Sequence, residues 1–145
     1  MKQLEKYIVV SLVSDGYERF AILQNSDETK EFFVHFLQYD EYVEMEEESK
    51  KIKTGDIIKG QLFIDLIMNS EKVDKPLAWG QPQNNTPFIE AVVCISKVID
   101  DYSVYATSLL SESPLLMEFE DKVDYAIGDT VSIEGTLEFI LSDFT

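Results

Sequence analysis

The 145-residue sequence contains one cysteine and one histidine, and no long apolar run near its start. One cysteine excludes a disulfide framework, and one cysteine with one histidine is too few for an ordinary structural zinc site. Cys94 lies in the apolar run from Ala91 to Ile95, which predicts a buried, unreactive thiol. The run Tyr7–Val13 is too short to span a membrane and is not followed by a signal-cleavage pattern. We therefore expect a cytoplasmic protein that has no membrane partner.

Motifs that carry catalysis are also scarce. His35, the single histidine, lies among phenylalanine and leucine residues, which predicts a half-buried ring rather than a general base. The sequence has no glycine-rich phosphate loop and no calcium-loop pattern. We predict no catalytic residues, no metal and no cofactor, and hence a protein that is not an enzyme.

Positive charge is the third deficit. Lys and Arg total 12 against 28 Asp and Glu, so the net charge is -16, and residues 76–145 have only Lys97 and Lys122 as bases. Such a chain repels a phosphate backbone, so nucleic acid is not an expected partner. With 45% apolar residues the chain can still bury a core of single-domain size. The acids therefore lie on a folded surface, where they provide solubility or meet a basic partner.

Short runs of β-branched and aromatic residues, separated by polar or glycine-containing turns, predict a mostly β protein. Ser14–Gly16 and Asp100–Asp101 predict two tight hairpin turns. Residues 69–87 hold three of the four prolines and the only tryptophan, Trp79, and are predicted to form a long loop. The predicted strands are residues 5–14, 17–24, 31–39, 57–68, 88–99, 102–108, 114–120 and 130–141.

One segment has helical rather than strand spacing. Tyr42, Met45, Ser49 and Ile52 recur every three or four residues, with glutamates on the opposite side. Asp40 can cap the start of a helix and Gly55 can end it. The pattern predicts one helix over residues 41–52.

A short motif occurs twice, first at Gly55-Asp56 and again at Gly128-Asp129. Each copy continues with alternating apolar residues to a second glycine and a leucine. This pattern is typical of a turn that enters a bent strand, where the second glycine allows close approach of a neighbouring backbone. The motif arose by chance or marks a duplicated barrel, with repeats at 1–68 and 88–141 linked by the loop 69–87.

The order of three strands, a helix and a bent strand resembles an OB-fold. The segment from Gly128 to Leu137 is similar to the fourth-strand pattern of bacterial single-stranded-DNA-binding proteins. The resemblance covers residues 5–99 and implies an OB-like small barrel with an added C-terminal β unit. It implies nucleic-acid or oligosaccharide binding as one function, although an OB groove for single strands needs cations that this chain lacks.

The composition favours a non-enzymatic acidic protein that docks on a basic protein, as inhibitors and immunity proteins of nucleases do. The alternatives are the OB-type binder and an enzyme or small-ligand carrier whose loop 69–87 closes over a barrel cavity, with Trp79 at its mouth. Partner contacts are predicted for acids and aromatic residues, most of them in the C-terminal half. These residues are Glu118, Glu120, Asp121, Asp124, Glu134, Tyr102, Tyr105, Tyr125 and Trp79.

Overall fold

A computed structural model describes residues 5–38 and 52–143 of the chain, and within these residues the protein is all β. No helix occurs in the described ranges. The β-rich class predicted from the sequence is thus confirmed. The strands are β1 (Glu5–Asp15), β2 (Glu18–Asn25), β3 (Glu31–Leu37), β4 (Ile57–Lys72), β5 (Ala78–Gly80), β6 (Phe88–Val98), β7 (Ser103–Ser108), β8 (Ser111–Phe119) and β9 (Thr130–Asp143).

Alternation along the strands places every second side chain in the core. In β9, Val131, Ile133, Gly135, Leu137 and Phe139 are buried, and the residues that alternate with them are partly exposed. The eight predicted strands therefore all form, with small changes at their ends. Both predicted hairpin turns form as well, because Asp15 lies opposite Glu18 and Val98 lies opposite Val104.

The helix predicted over residues 41–52 is not seen. Residues 39–51 lie outside the described ranges, and Ile52, the remaining member, is not helical. Ile52 is instead a buried core residue whose N–H donates to the side-chain oxygen of Gln38 at 3.4 Å. Burial in the core therefore accounts for the apolar side chain at Ile52 without a helix.

The prediction of a loop over residues 69–87 is wrong in two places. Strand β4 continues through residues 69–72, although the apolar alternation stops there. Within the rest of the stretch, the short strand β5 pairs with β6, and Trp79 lies opposite Ala91. Pairing with a neighbouring strand supplies the order that the polar, proline-containing sequence did not indicate.

The chain divides into two compact units, and the long strands β4 and β9 contribute to both. Unit 1 takes in the described residues up to Gln61 together with those from Phe139 onward. Its strands follow the order β1-β2-β3-β9-β4, and β1 pairs with β4 as well, so the pairings return to the first strand. Tyr7, Phe32, Phe36 and Phe139 pack edge to face in its core, with ring centroids 5.6–5.7 Å apart.

Unit 2 is Leu62–Glu138. Its strands follow the order β9-β4-β8-β7-β6, and β6 pairs with β9, so these pairings also return to their start. Ile64, Val93, Met117 and Ile133 are among the side chains buried in its core. The OB-like barrel, the added C-terminal unit and their origin by duplication stay predictions.

The two Gly-Asp turns share one local geometry. Gly55 and Gly128 both have a φ of 94°, a conformation that favours glycine. The N–H of Gly55 donates to the carbonyl of Val9 at 2.7 Å, and that of Gly128 donates to the carbonyl of Ile95 at 2.8 Å. The repeated motif therefore corresponds to a repeated backbone conformation.

The aspartates of the two turns also act alike. The Asp56 carboxylate accepts the N–H of Lys53 at 2.7 Å, and the Asp129 carboxylate accepts the N–H of Ala126 at 2.9 Å. The pKa of Asp129 is lowered by this backbone hydrogen bond and by the ammonium group of Lys72, 3.2 Å away. Each aspartate thus closes its turn by accepting a backbone hydrogen bond.

The second glycine of each motif lies where another strand crosses closely. A Cβ on Gly60 would clash with the carbonyl oxygen of Ile140, and a Cβ on Gly135 would lie 2.8 Å from that of Asp65. The close backbone approach predicted from the sequence is confirmed at both positions.

Candidate partner-binding cleft

A cleft of about 270 Å³ opens in unit 2, between the end of β4 and the segment that follows β8. Three of its lining residues were predicted partner contacts. The lining residues are Ile67, Met68, Ser70, Phe119, Asp121, Lys122, Val123, Asp124 and Tyr125.

One wall of the cleft is positioned by the parallel pairing of β4 with β8. Phe63 lies opposite Leu116 and Ile67 lies opposite Phe119, with an irregular register between Ile64 and Ile67. Leu66 sits in this irregular stretch with a φ of 54° and a side chain that is 52% exposed. A left-handed leucine costs roughly 1–2 kcal/mol, and such strain is concentrated at functional sites.

The opposite wall is held by two backbone hydrogen bonds. The N–H of Glu120 donates to the carbonyl of Ile67 at 3.0 Å, and the N–H of Val123 donates to that of Asp101 at 2.8 Å. Tyr125 connects the two walls of the cleft, because its hydroxyl lies 2.8 Å from that of Ser70. The Tyr125 ring also packs on Phe119 at a centroid distance of 6.0 Å.

A second cleft, of about 250 Å³, shares Ser70 with the first. It is lined by the outer positions of β4 and β9, where the amide of Asn69 donates to the Glu134 carboxylate at 3.2 Å. Its lining residues are Asn69, Ser70, Glu71, Ser132, Ile133 and Glu134.

Carboxylates dominate the electrostatics of this region. Asp121 and Asp124 line the first cleft, Glu71 and Glu134 line the second, and Lys122 is the single basic residue that lines either. Partial burial raises the pKa of Glu118, and the nearby charges of Asp65 and Asp100 raise it further.

These three acids lie on neighbouring elements of unit 2. Asp65 falls in the irregular register of β4 opposite the end of β8, and Glu118 of β8 pairs with Ser103 of β7. Asp100 lies in the turn between β6 and β7, where its N–H donates to the Ser103 carbonyl at 3.2 Å. The folded chain therefore holds like charges together, at an electrostatic cost.

The predicted contact residues are split by the fold. Asp121, Asp124 and Tyr125 line the first cleft, and Glu134 lines the second. Glu120 is exposed at the edge of the first cleft, to which its backbone is hydrogen bonded.

The other predicted residues line neither cleft. Tyr102 is 44% exposed, and its carbonyl accepts the N–H of Phe119. Tyr105 is half-buried opposite Leu116 in β7, and Trp79 is half-buried in β5.

Sequence reasoning missed Met68 and Ser70, the β4 residues at the centre of the first cleft. Met68 was predicted to end its strand and Ser70 to lie in a loop, because apolar alternation fades there. The 73% exposure of the Met68 side chain becomes visible only in the folded chain.

The single histidine and the single cysteine are structural in their contacts. His35 is half-buried as predicted, with its ring 5.0 Å from Phe20 and its Nε2 3.3 Å from a carboxylate oxygen of Glu18. Cys94 is half-buried rather than buried, since Val93 and Ile95 take the core-facing positions of β6.

In the described ranges no three histidine, cysteine, aspartate or glutamate side chains are placed to hold a metal ion together. The same ranges contain no helix with the length and apolar character needed to cross a membrane. The fold and the site define an all-β protein with two acidic clefts that meet at Ser70. No family model, curated protein or solved structure matches the chain.

Proposed function

We propose that this protein is a non-enzymatic acidic protein that binds a basic protein partner through the first cleft of unit 2. The observation that supports the proposal most directly is the position of Asp121 and Asp124, which line the first cleft together with the exposed Met68. Asp65, Asp100 and Glu118, which line neither cleft, add further negative charge to unit 2, and a lysine or arginine from a partner would relieve their repulsion.

The cleft adds contact area to this charge. Asp121 and Asp124 supply carboxylates on one side, and Met68 supplies an exposed apolar side chain on the other. Interfaces combine an apolar centre with a polar rim, and opposite charges speed association. Such an acidic surface would cover the site at which a basic partner binds nucleic acid. An inhibitor or immunity protein is expected to act in this way.

The proposal is tested by titrating the chain with a panel of folded basic proteins that includes basic nucleases. We expect one member to bind with a Kd of about 1 μM or tighter, and binding to weaken as salt rises from about 0.05 to about 0.5 M. The double variant Asp121→Asn, Asp124→Asn should lose about tenfold in affinity or more.

The matched control is Asp15→Asn with Glu31→Gln, which removes the same charge from exposed positions in unit 1. It should retain affinity to within about threefold. Equal losses of affinity in the two double variants would mean that binding depends on net charge alone and not on the cleft. Binding that does not weaken with salt would argue that the carboxylates take no part.

A further inference from the structure

Strand β4 continues beyond the end of its pairing with β8. The pairing ends where Ile67 lies opposite Phe119, and the Glu120 N–H takes the Ile67 carbonyl, yet β4 runs on to Lys72. On the side where β8 has ended, none of the described strands pairs with Met68–Lys72.

The direction of the free backbone groups follows from strand alternation. The N–H of Val73 donates to the Thr130 carbonyl of β9 at 2.9 Å, so residue 73 turns its backbone groups towards β9. Hydrogen-bonding direction alternates along a strand, so Ser70 and Lys72 turn theirs the other way. Met68 does not belong to this set, because the Ile67 carbonyl points to the Glu120 N–H and the Met68 N–H of the same trans peptide therefore points towards β9. Met68 and Ser70 line the first cleft, so this edge lies along it.

We propose that an extended, lysine- or arginine-containing segment of the partner adds to this edge as a further strand. The inference rests on the function proposed above and specifies the shape and chemistry of the segment that is bound. An unpaired strand edge recognises an extended backbone, because the added segment satisfies the N–H and C=O groups that the edge presents.

The walls of the cleft determine the preferred sequence of the segment. Asp121 and Asp124 favour basic side chains on the face of the added strand turned towards them. Met68, which is 73% exposed, offers an apolar contact to a residue on the other face. A segment that alternates basic and apolar residues matches both walls.

A second copy of this chain is a poorer occupant of the edge. The net charge of -16 opposes self-association, and the flanking aspartates would meet other carboxylates. Charge complementarity thus favours a basic segment from a different protein.

The test uses a synthetic peptide of about eight residues that alternates lysine and valine, long enough to span the edge. Two control peptides carry glutamate in place of lysine, or N-methyl groups on alternate residues that remove the donors for pairing. We expect the lysine peptide to bind the full chain and each control to bind about tenfold more weakly or worse.

Amide hydrogen exchange locates the contact. Binding should slow exchange at Ser70 and Lys72, whereas Met68 and Glu71, whose N–H groups point towards β9, should change little. Ser70→Pro removes one of the two edge donors and should abolish peptide binding while dichroism and thermal unfolding report a folded chain, because proline is tolerated at an unpaired edge. Should that variant unfold, the N-methylated peptide tests the same hydrogen bonds on the intact protein.

The two proposals fail in different ways. If a basic protein binds through Asp121 and Asp124 but the peptide leaves the Ser70 and Lys72 amides unchanged, strand addition is overturned and the binding function stands. If neither basic proteins nor the peptide bind, both are overturned. If those amides are protected without peptide, in proportion to protein concentration, a second copy occupies the edge and the basic-segment proposal is wrong.

Discussion

The hydroxyl oxygens of Ser70 and Tyr125 lie 2.8 Å apart, although the two residues are 55 positions apart in the chain. This hydrogen bond joins the free end of β4 to the segment after β8, and so fixes the width of the first cleft. It leaves the Met68 and Ser70 edge open on one side and the carboxylates of Asp121 and Asp124 on the other.

Loss of this hydrogen bond should weaken the fold only modestly. Tyr125→Phe keeps the ring on Phe119 but removes the hydroxyl, so we expect a loss of about 0.5–1.5 kcal/mol in the free energy of unfolding. Urea unfolding measures the change. Tyr102→Phe, at a 44% exposed side chain, is the control and should change stability by less than about 0.5 kcal/mol. Equal effects of the two variants would contradict a specific role for the Ser70 contact.

At neutral pH, Glu118 should lower the stability of the free protein and strengthen its binding to the partner. Its pKa is raised in the folded protein, so its contribution to stability is fully present below the unfolded-state pKa and is lost as pH rises through the folded-state pKa. Glu118→Gln removes that loss, so the variant should be more stable than the natural chain at neutral pH. The advantage should shrink as the pH falls into the range where the carboxyl is protonated in both states.

Thermal unfolding across about pH 3–8 measures this difference, and titration with the basic partner at pH 7 measures its functional counterpart. The same variant should bind the partner more weakly, because one of the three grouped charges is gone. Glu112→Gln, at an exposed position near the start of β8, is the charge-matched control. A Glu118→Gln chain that is less stable than the natural one at neutral pH would refute the electrostatic interpretation.

The two Gly-Asp turns should both lose stability when their glycine is replaced by alanine. Gly55→Ala and Gly128→Ala place a Cβ on backbone with a φ of 94°, where nothing lies within 4 Å of it. Backbone strain alone should therefore cost roughly 1–3 kcal/mol at each site. Gly80→Ala has the same open surroundings without a left-handed φ, and it should be close to neutral. Denaturant unfolding of the three variants tests the interpretation, which fails if the Gly80 variant loses as much stability as the other two.

The close strand crossing at Gly60 should tolerate no side chain. A Cβ there meets the Ile140 carbonyl and the ring of Phe139 within 3 Å, so Gly60→Ala should cost about 3 kcal/mol or more. The double variant Gly60→Ala, Phe139→Leu removes the ring but not the carbonyl. It should not recover the stability of Phe139→Leu alone, and full recovery would place the clash at the ring instead of the backbone.

Much of the local structure could be predicted from the sequence. The eight longer strands, the hairpin turns at Gly16 and Asp100, and the two Gly-Asp turns all carry local signals. Those signals are alternation and residue types suited to special dihedral angles, and both act over a few neighbouring residues. The concentration of acids after residue 76 was visible from composition alone.

The site could be predicted only in part. Asp121, Asp124 and Tyr125 were chosen for charge and aromatic character and do line the cleft, whereas Tyr105 and Trp79 were chosen on the same grounds and do not. Residue type predicts which side chains can bind a partner. It does not predict which of them share a surface, because that depends on contacts between distant segments.

The sequence by itself determined the β class, the turn positions and the sign of the surface charge, because short-range sterics and composition decide these properties. Only the tertiary structure decided that β4 extends beyond the end of its parallel partner β8, so that Met68 and Ser70 line an acidic cleft. The register between two strands about 50 residues apart is set by the packing of the whole core of unit 2. No local sequence pattern at Met68 or Ser70 predicts where strand β8 ends.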